Sequence, residues 1–225
     1  MNIQKAFLYG ALLTDGCIKK HKNREKWYNY EIQADSIDIE YLQAIKKAWQ
    51  DTYNLPGGSI YLSGKGGEYN IRGKIGKKKP SYRWTTYGKE IAEEILKETE
   101  DKKKIPGWIM NGADEIKKSF IGSALDGNGY ISIMQGRKGQ SLHFEAGFSH
   151  QKPVIEQFKE LLDSVGIKCY KLRKYDNADC HKFRFNTTDL ANSGIKFSII
   201  RKQEKLNKII KILRDYTLDN NRKNT

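Results

Sequence analysis

The sequence predicts an α+β fold of two pseudo-symmetric αββαββα subdomains, each with an antiparallel sheet. A motif and a helical pattern that recur in one register predict it. FLYGALLTDG at Phe7–Gly16 returns as FIGSALDGNG at Phe120–Gly129, 113 residues later. The same offset matches two apolar i, i+1, i+4, i+7, i+8 stripes, which are typical of amphipathic helices. The stripes comprise Tyr41, Leu42, Ile45, Ala48 and Trp49, and Val154, Ile155, Phe158, Leu161 and Leu162.

The first half begins with a helix rich in small residues that ends at the turn dipeptide Asp15-Gly16. Strand-like stretches flank the amphipathic helix, and glycine and proline mark the breaks, as at Pro56-Gly57-Gly58. The predicted elements are the helix Lys5–Thr14, the strands Cys17–Lys22 and Trp27–Asp35, the helix Ile39–Tyr53, the strands Ser59–Ser63 and Tyr82–Thr86, and the helix Lys89–Thr99.

The second half repeats this order. Its predicted elements are the helix Glu115–Leu125, the strands Tyr130–Met134 and Leu142–Phe148, the helix Val154–Val165, the strands Lys168–Lys174 and Lys182–Phe185, and the terminal helix Phe197–Asp215. We expect a first subdomain over 1–100, a lysine-rich linker over 101–114 and a second subdomain over 115–225. Because neighbouring strands are hairpin partners, helices should cover one face of each sheet and leave the other for solvent or a partner.

The composition narrows the class of partner. The 225 residues include 41 Lys and Arg against 27 Asp and Glu, a formal net charge of +14, which favours a polyanion such as nucleic acid. Thirteen Tyr and four Trp indicate a folded body rather than a basic tail. No apolar run predicts a membrane span, and no GxxxxGK[ST] phosphate loop occurs. Three cysteines without a CxxC pair favour an intracellular protein, cytoplasmic or organellar.

Basic residues are concentrated on or beside the predicted strands, where uncovered sheet faces related by a pseudo-twofold axis could straddle a duplex. The candidates for DNA binding are Lys19, Lys20, Lys22, Arg24, Arg72, Lys74, Arg83, Arg137, Lys138, Lys171, Arg173, Lys174, Lys182 and Arg184.

The two motif copies, their half-chain spacing and the Ile105-Pro106 linker resemble the single-chain, two-motif LAGLIDADG homing endonucleases. The resemblance covers essentially the whole chain. It implies a free-standing, intron-encoded enzyme that cuts a long, asymmetric double-stranded DNA target as a monomer acting as its own pseudo-dimer. It also implies a DNA-binding saddle of two sheets, with the LAGLIDADG helices packed at the subdomain interface. Small residues suit such close packing, namely Gly10 and Ala11 in the first copy and Ser123 and Ala124 in the second.

The ends of the two motif helices are the expected catalytic centre. In the family, an acidic residue at each helix end, backbone carbonyls and DNA phosphates hold Mg²⁺, which activates a water molecule and stabilises the leaving 3′ oxygen. Mn²⁺ can substitute, and Ca²⁺ binds without supporting cleavage. By position, the metal candidates in this chain are Asp15 and Asn128, with the preceding residues Thr14 and Gly127.

The second copy departs from the family pattern. In the 113-residue register, Asp15 corresponds to Asn128, and Asp126 corresponds to Leu13. An amide thus replaces the second catalytic acid, which removes one charge and weakens metal binding, while Asp126 takes a structural position. The alternative register, with Asp126 as the catalytic acid, would displace the motif's Phe and small residues. Asn128 has three explanations: an engineered inactivating change, a natural enzyme that nicks one strand, or a degenerate copy.

The family also places polar or basic residues around the metal. By position, Ser36 and its repeat mate Ser149, followed by His150, end the second strand of each half beside the site. Arg201 and Lys202 begin the terminal helix, where a basic residue could reach a scissile phosphate, and Lys104 lies in the linker. Of these residues, His150 and Lys202 are the further catalytic candidates.

Two functions from other classes fit the same sequence. An RNA-binding intron maturase without cleavage activity would tolerate Asn128. A non-catalytic regulator would bind one DNA site without cutting it. Metal-dependent cleavage after the change Asn128→Asp separates the endonuclease from both.

Overall fold

The computed structural model of the protein describes residues 2–22, 28–71, 74–135, 142–174 and 179–223. Helices and strands follow one another in a similar order in the two halves. The first half contains α1 (Ile3–Thr14), β1 (Gly16–Lys22), β2 (Tyr28–Ser36), α2 (Ile39–Tyr53), β3 (Ser59–Gly64), β4 (Gly67–Ile71), β5 (Lys74–Lys78), β6 (Ser81–Tyr87) and α3 (Lys89–Glu98). The second contains α4 (Gly107–Met110), α5 (Asp114–Asn128), β7 (Gly129–Met134), β8 (His143–His150), α6 (Lys152–Ser164), β9 (Arg173–Lys174), β10 (His181–Phe185), α7 (Thr187–Asn192) and α8 (Ile200–Lys223).

Each half builds a four-stranded sheet, and the two sheets have matching topology. Their strand orders are β1-β2-β6-β3 and β7-β8-β10-β9, and every pairing of neighbours is antiparallel. Along β2, Tyr30, Ile32 and Ala34 are buried in the core. Because side chains alternate along a strand, Glu31 and Asp35 lie on the opposite face. The predicted α+β fold with antiparallel sheets is confirmed.

The helices cover one face of each sheet and supply most of the core. All ten residues of the two predicted apolar stripes on α2 and α6 are buried. Trp84 of β6 is fully buried beneath α2, where its indole Nε1 donates a hydrogen bond to the Gly57 carbonyl oxygen at 2.7 Å. The 3.6-residue period of the stripes therefore identified the faces that pack on the sheets.

The region between the halves is packed rather than extended. Ile105 and Ile109 are fully buried. The Ile105 amide donates to Gln157 Oε1 of α6 at 2.9 Å, and Trp108 Nε1 donates to Glu98 Oε2 of α3 at 2.8 Å. The connection thus contacts helices of both halves.

Several predicted boundaries are wrong. The strand expected over Lys168–Lys174 is reduced to β9 plus one bridge between Cys169 and Phe185. The helix α5 continues to Asn128, because the Gly129 amide still donates to the Leu125 carbonyl oxygen, and α8 begins at Ile200 rather than Phe197. The short helices α4 and α7 and the hairpin β4–β5 were not predicted.

None of the helices in the described part of the chain is both long enough and apolar enough to cross a membrane.

Candidate catalytic centre and nucleic-acid interface

The motif helices α1 and α5 cross in close contact at the centre of the molecule. A methyl group at Gly10 would lie 2.5 Å from the Phe120 carbonyl oxygen and 3.1 Å from Ser123 Cβ. Ala11, Ser123 and Ala124 are fully buried. The four residues predicted for interface packing therefore lie in the helix pair, and a larger side chain at Gly10 would force the two backbones apart.

The ends of α1 and α5 meet beside Asp15, the aspartate of the first motif copy. A Cβ atom at Gly127 would collide with the Thr14 side chain and lie 3.1 Å from Asp15 Oδ2. The Thr14 hydroxyl donates to the Gly10 carbonyl oxygen of its own helix at 3.0 Å, which fixes its orientation. Asp15 caps the end of α1, and Asn128 is the last residue of α5. Thr14, Asp15 and Gly127 are thus brought to one junction, and Asn128 follows Gly127 at the end of α5.

Asp15 lines a cavity of about 320 Å³ between the halves. Burial raises the pKa of this carboxyl to about 6, although the ammonium groups of Lys202 and Lys102 oppose the shift. The carboxylate is consequently ionised at neutral pH but held in an environment that favours a cation beside it. The other lining residues are Asp35, Ser36, Ile37, Asp38, Asp126, Gly127, Gly129, Tyr130, Ile131, Ile199, Arg201, Lys202 and Lys205.

Asp126 caps the start of α8. Its Oδ2 accepts from the Ser198 amide at 2.7 Å and the Ser198 hydroxyl at 2.6 Å, and its Oδ1 accepts from the Ile199 amide at 3.2 Å. Burial raises its pKa, and these hydrogen bonds lower it in part. Since both carboxylate oxygens are engaged and the residue is only 2% exposed, Asp126 occupies a structural position. The Gly10–Ser123 contact also fits the register that pairs Asp15 with Asn128.

A lysine is bound at the end of each motif helix. The Lys202 ammonium donates to the carbonyl oxygens of Leu125, Asp126 and Gly129 at 2.7, 2.6 and 2.8 Å, and burial lowers its pKa to about 8. The Lys102 ammonium donates to the carbonyl oxygens of Gly16 and Thr14 at 2.7 and 3.5 Å, and burial lowers its pKa as well. Both lysines therefore compensate carbonyl groups at the negative ends of helix dipoles.

The linker lysine at the site is Lys102 rather than Lys104. Lys104 points away and pairs with Glu100 at 2.9 Å in an exposed position. The turn that delivers Lys102 contains three consecutive non-glycine residues with positive φ, Glu100, Asp101 and Lys102, at 47°, 54° and 66°. Such conformations cost free energy and persist only where the surroundings impose them. Arg201, beside Lys202, is held by Asp38 of the first half at 2.8 and 2.7 Å.

His150 contacts the end of α1 from the second half. Its Nε2 lies 3.2 Å from the Leu13 carbonyl oxygen, Nδ1 is buried without a partner among the described atoms, and burial lowers its pKa. The predicted repeat mate was wrong by one residue. Gly16 pairs with Ala34, whereas the equivalent Gly129 pairs with Phe148, so His150 rather than Ser149 corresponds to Ser36.

The uncovered sheet faces carry part of the predicted DNA-binding set. By strand register, Lys19, Arg83, Arg173, Lys182 and Arg184 lie on these faces. Lys171 is exposed beside them and lines a broad cavity of about 890 Å³ over the second sheet. Lys20 and Lys174 instead share a face with core residues, and the Lys20 ammonium lies 5.5 Å from the Tyr30 ring centroid. Arg24, Arg72, Arg137, Lys138 and the side chains of Lys22 and Lys74 lie outside the described residues.

Acidic residues orient the basic residues on both faces, and sequence reasoning missed them. Arg83 donates two hydrogen bonds to Asp35, at 2.9 and 3.0 Å. In the second half, Glu145 accepts from the Tyr130 hydroxyl at 2.6 Å and pairs with Arg184 at 3.0 Å. These contacts pre-orient the guanidinium groups. Alternation along the strands predicted the side on which they lie but not which acid each arginine meets.

The donor set at the helix junction fits a divalent cation only in part. Within the described residues, no group of three or more His, Cys, Asp or Glu side chains could hold a metal ion. Mg²⁺ is usually bound by one or two carboxylates together with water and substrate phosphates, rather than by an all-protein cage. Asp15 supplies one carboxylate at the junction, so a divalent cation there would need substrate phosphates and water to complete its coordination.

The fold is that of known homing endonucleases, although sequence comparison alone finds no relative. No protein-family profile and no curated protein matches the chain. A mesophilic variant of the homing endonuclease I-DmoI is 13% identical, with 88% of this chain and 96% of that chain covered and a TM-score of 0.55. The LAGLIDADG homing endonuclease I-GzeII in complex with its DNA target is also 13% identical, covering 96% and 92% with a TM-score of 0.54. A K262A mutant of I-SmaMI is 11% identical, covering 96% and 92% with a TM-score of 0.57. The predicted resemblance is thus confirmed for the fold.

Proposed function

We propose that this chain is an intron-encoded, site-specific endonuclease that binds double-stranded DNA across both sheet faces and hydrolyses phosphodiester bonds at the junction of α1 and α5. The observation that carries the proposal is the meeting of the two helix ends, where Thr14 and Asp15 contact Gly127 beside a cavity between the halves. I-DmoI and I-GzeII, which share the fold, have been solved with DNA.

Charge and shape both suit a duplex. The net charge of +14 favours phosphate binding, and the two sheets are related in the manner of two half-site readers. Arg83 and Arg184, already oriented by Asp35 and Glu145, lose less conformational entropy when they meet a phosphate or a base edge. The linked halves can read an asymmetric target as a monomer.

A divalent cation, Mg²⁺ or Mn²⁺, would be held by Asp15, Asn128 and the carbonyl oxygens of Thr14 and Gly127. When bound, it supplies a Lewis acid that activates water and neutralises charge on the leaving oxygen. Asp15, with a pKa of about 6, is ionised and available at neutral pH. I-DmoI complexes have been solved with DNA and Ca and with DNA and Mn, and we expect Ca²⁺ to support binding without cleavage here.

Asn128 makes the two strands of the target unequal. A neutral amide at the end of α5 binds a cation more weakly than a carboxylate, so the strand served by Asp15 is cut and the other is cut slowly or not at all. Lys202 and Lys102 act as positioning residues that hold the helix ends through backbone carbonyls. His150 acts in the same way through the Leu13 carbonyl.

The test uses a supercoiled plasmid that carries the joined flanks of the host intron. The chain should convert it to the nicked form with Mg²⁺, and Asn128→Asp should convert it to the linear form. We expect second-strand cleavage to rise on the order of 10²-fold or more, the usual scale for one electrostatic group at a reacting centre. Asn128→Ala, which adds no carboxylate, is the matched control.

Equal cleavage of both strands by the chain and by Asn128→Asp would contradict the role given to Asn128. Tight binding of the folded intron RNA, with no duplex cleavage by any variant, would favour the maturase. Specific duplex binding without cleavage, even after the substitution, would favour the regulator.

A further inference from the structure

The first half carries a second sheet that extends its edge hairpin. The strands β4 and β5 pair with each other from Gly67 with Lys78 to Ile71 with Lys74, and they form a two-stranded sheet of their own. They continue β3 and β6, because Gly64 pairs with Ser81 immediately before this segment begins. The segment β4–β5, called the ribbon below, therefore projects beyond the end of the four-stranded sheet.

The ribbon leaves the sheet at the end nearest the catalytic junction. Tyr82, the second residue of β6, pairs with Ser36, which ends β2 and lines the same cavity as Asp15. The pKa of Asp38 is lowered chiefly by its hydrogen bonds from Arg201, and the charge of Lys79 adds to the lowering. The base of the ribbon thus lies at the boundary between the halves rather than at the outer end of the first half.

The composition of the ribbon is strongly basic. Between positions 65 and 80 the chain contains six lysine and arginine residues and one acidic residue, Glu68. Lys77, Lys78 and Lys79 are exposed, and none of them forms an ion pair with any side chain that the structure describes. Tyr69 and Ile75 are exposed as well, at 47% and 73%. An isolated two-stranded hairpin is marginally stable in water, so a partner that neutralises its charge would also order it.

The equivalent connection in the second half differs in length and charge. The chain between Lys174 of β9 and His181 of β10 has six residues, which include Asp176 and Asp179 and no lysine or arginine. Lysines on an exposed strand edge can serve simply to prevent edge-to-edge pairing. That explanation does not require a cluster in one half only, nor its projection at the end of the sheet beside the junction.

We propose that the ribbon binds the phosphate backbone of the duplex near the cleavage centre, beside α8, and so extends the contact of the first half across the middle of the target. The proposal rests on the proposed endonuclease function and adds an asymmetric, sequence-independent contact to it. Lysine ammonium groups act as point charges toward phosphates. They should strengthen binding to every duplex sequence alike.

The test compares two triple variants of equal charge. One changes Lys77 and Lys78 at the end of the ribbon, and Lys79 directly after it, to Gln. The control changes Lys89, Lys97 and Lys152 to Gln, which are exposed residues on helices that cover the opposite sheet faces. Binding to the target duplex is measured in Ca²⁺ over a range of salt concentrations, with a hydroxyl-radical footprint of each complex and a thermal unfolding curve of each protein.

The ribbon variant should bind more weakly than the chain. The slope of log K against log salt should fall by roughly 0.9 for each lost phosphate contact, and so by up to about 3. Protection should be lost only at the central base pairs. The control should keep both the slope and the footprint.

Two results would overturn the ribbon proposal while leaving the endonuclease intact, namely a salt slope equal to that of the control, or loss of protection at the outer end of the first half-site. A chain that gives no footprint on any target duplex would overturn both proposals together. Matching unfolding curves for the two variants exclude misfolding as the cause of weaker binding.

Discussion

The ends of α1 and α5 occupy equivalent places in the repeat, yet their polar groups differ. At the end of α1, Asp15 faces the cavity and Leu13 is buried in the core. At the end of α5, the equivalent residues are Asn128 and Asp126. The carboxylate of Asp126 accepts hydrogen bonds from the backbone at the start of α8. The first end thus keeps a carboxylate available to a ligand, and the second uses its carboxylate for structure. One backbone geometry is therefore kept in both copies while the carboxylate moves by two residues.

The lysines show the same division. Lys202 at the α5 end is only 6% exposed and engages three carbonyl oxygens. Lys102 at the α1 end is half-buried and is delivered by a turn of three left-handed residues. The α5 end is therefore the better anchored of the two, and the α1 end is the one with an accessible acid.

Exchanging the two residues at the helix ends should exchange the strand that is cut. The double variant Asp15→Asn, Asn128→Asp moves the carboxylate from one end to the other, so nicking should pass to the opposite strand of the same target. Asp15→Asn alone should lose activity by on the order of 10²–10³-fold, because the carboxylate of Asp126, which also lines the cavity, is engaged by Ser198 and Ile199 and cannot replace that of Asp15. Denaturing gels with each strand labelled separately measure this. A double variant that cuts the original strand would show that the position of the carboxylate does not select the strand.

Removing the two lysines should cost unequal amounts of stability. Lys202→Met leaves three carbonyls and the buried Asp126 without the ammonium, which should cost about 3–5 kcal/mol of the free energy of unfolding. Lys102→Met, at a half-buried site, should cost about 1 kcal/mol. Urea unfolding at pH 7.5 measures both values. Equal losses would show that the two ends are anchored alike.

The stability contributed at Asp15 should depend on pH. Because the folded pKa is raised to about 6 from 3.8, the folded state holds its proton more tightly than the unfolded state. The free energy of unfolding should thus fall as pH rises from about 4 to about 6 and stay level above that. Without metal, Asp15→Asn should be more stable than the chain by about 1–3 kcal/mol at pH 7.5 and equally stable near pH 4. Unfolding midpoints of both proteins, measured across this pH range in EDTA, check this. If the substitution left the midpoint unchanged at every pH, the buried position of this carboxylate would be contradicted.

Sequence reasoning located the two motif helices and their partners because local periodicity and a strict repeat encode them. The stripes on α2 and α6 and the small residues at Gly10 and Ser123 lie where they were predicted. These features depend on spacing within one element, which a sequence displays directly.

The features that were missed depend on distant partners or on backbone conformation. Asp126 meets Ser198, 72 residues away, and no local pattern announces that contact. Lys102 could not be distinguished from Lys104 because positive φ at Glu100 and Lys102 has no signal in these residue types. The ribbon lacks apolar alternation, so its lysines and glycines read as a loop. The shift from Ser149 to His150 arose because one residue, rather than two, separates β8 from α6.

The contact between Thr14 and Gly127 has a consequence for assembly. Because a Cβ atom at position 127 would collide with the Thr14 side chain, the junction accepts one threonine and one glycine. A homodimer of first halves would set threonine against threonine, and a homodimer of second halves would leave the space empty. The two halves are complementary rather than interchangeable, so fragments expressed separately would select each other over copies of themselves.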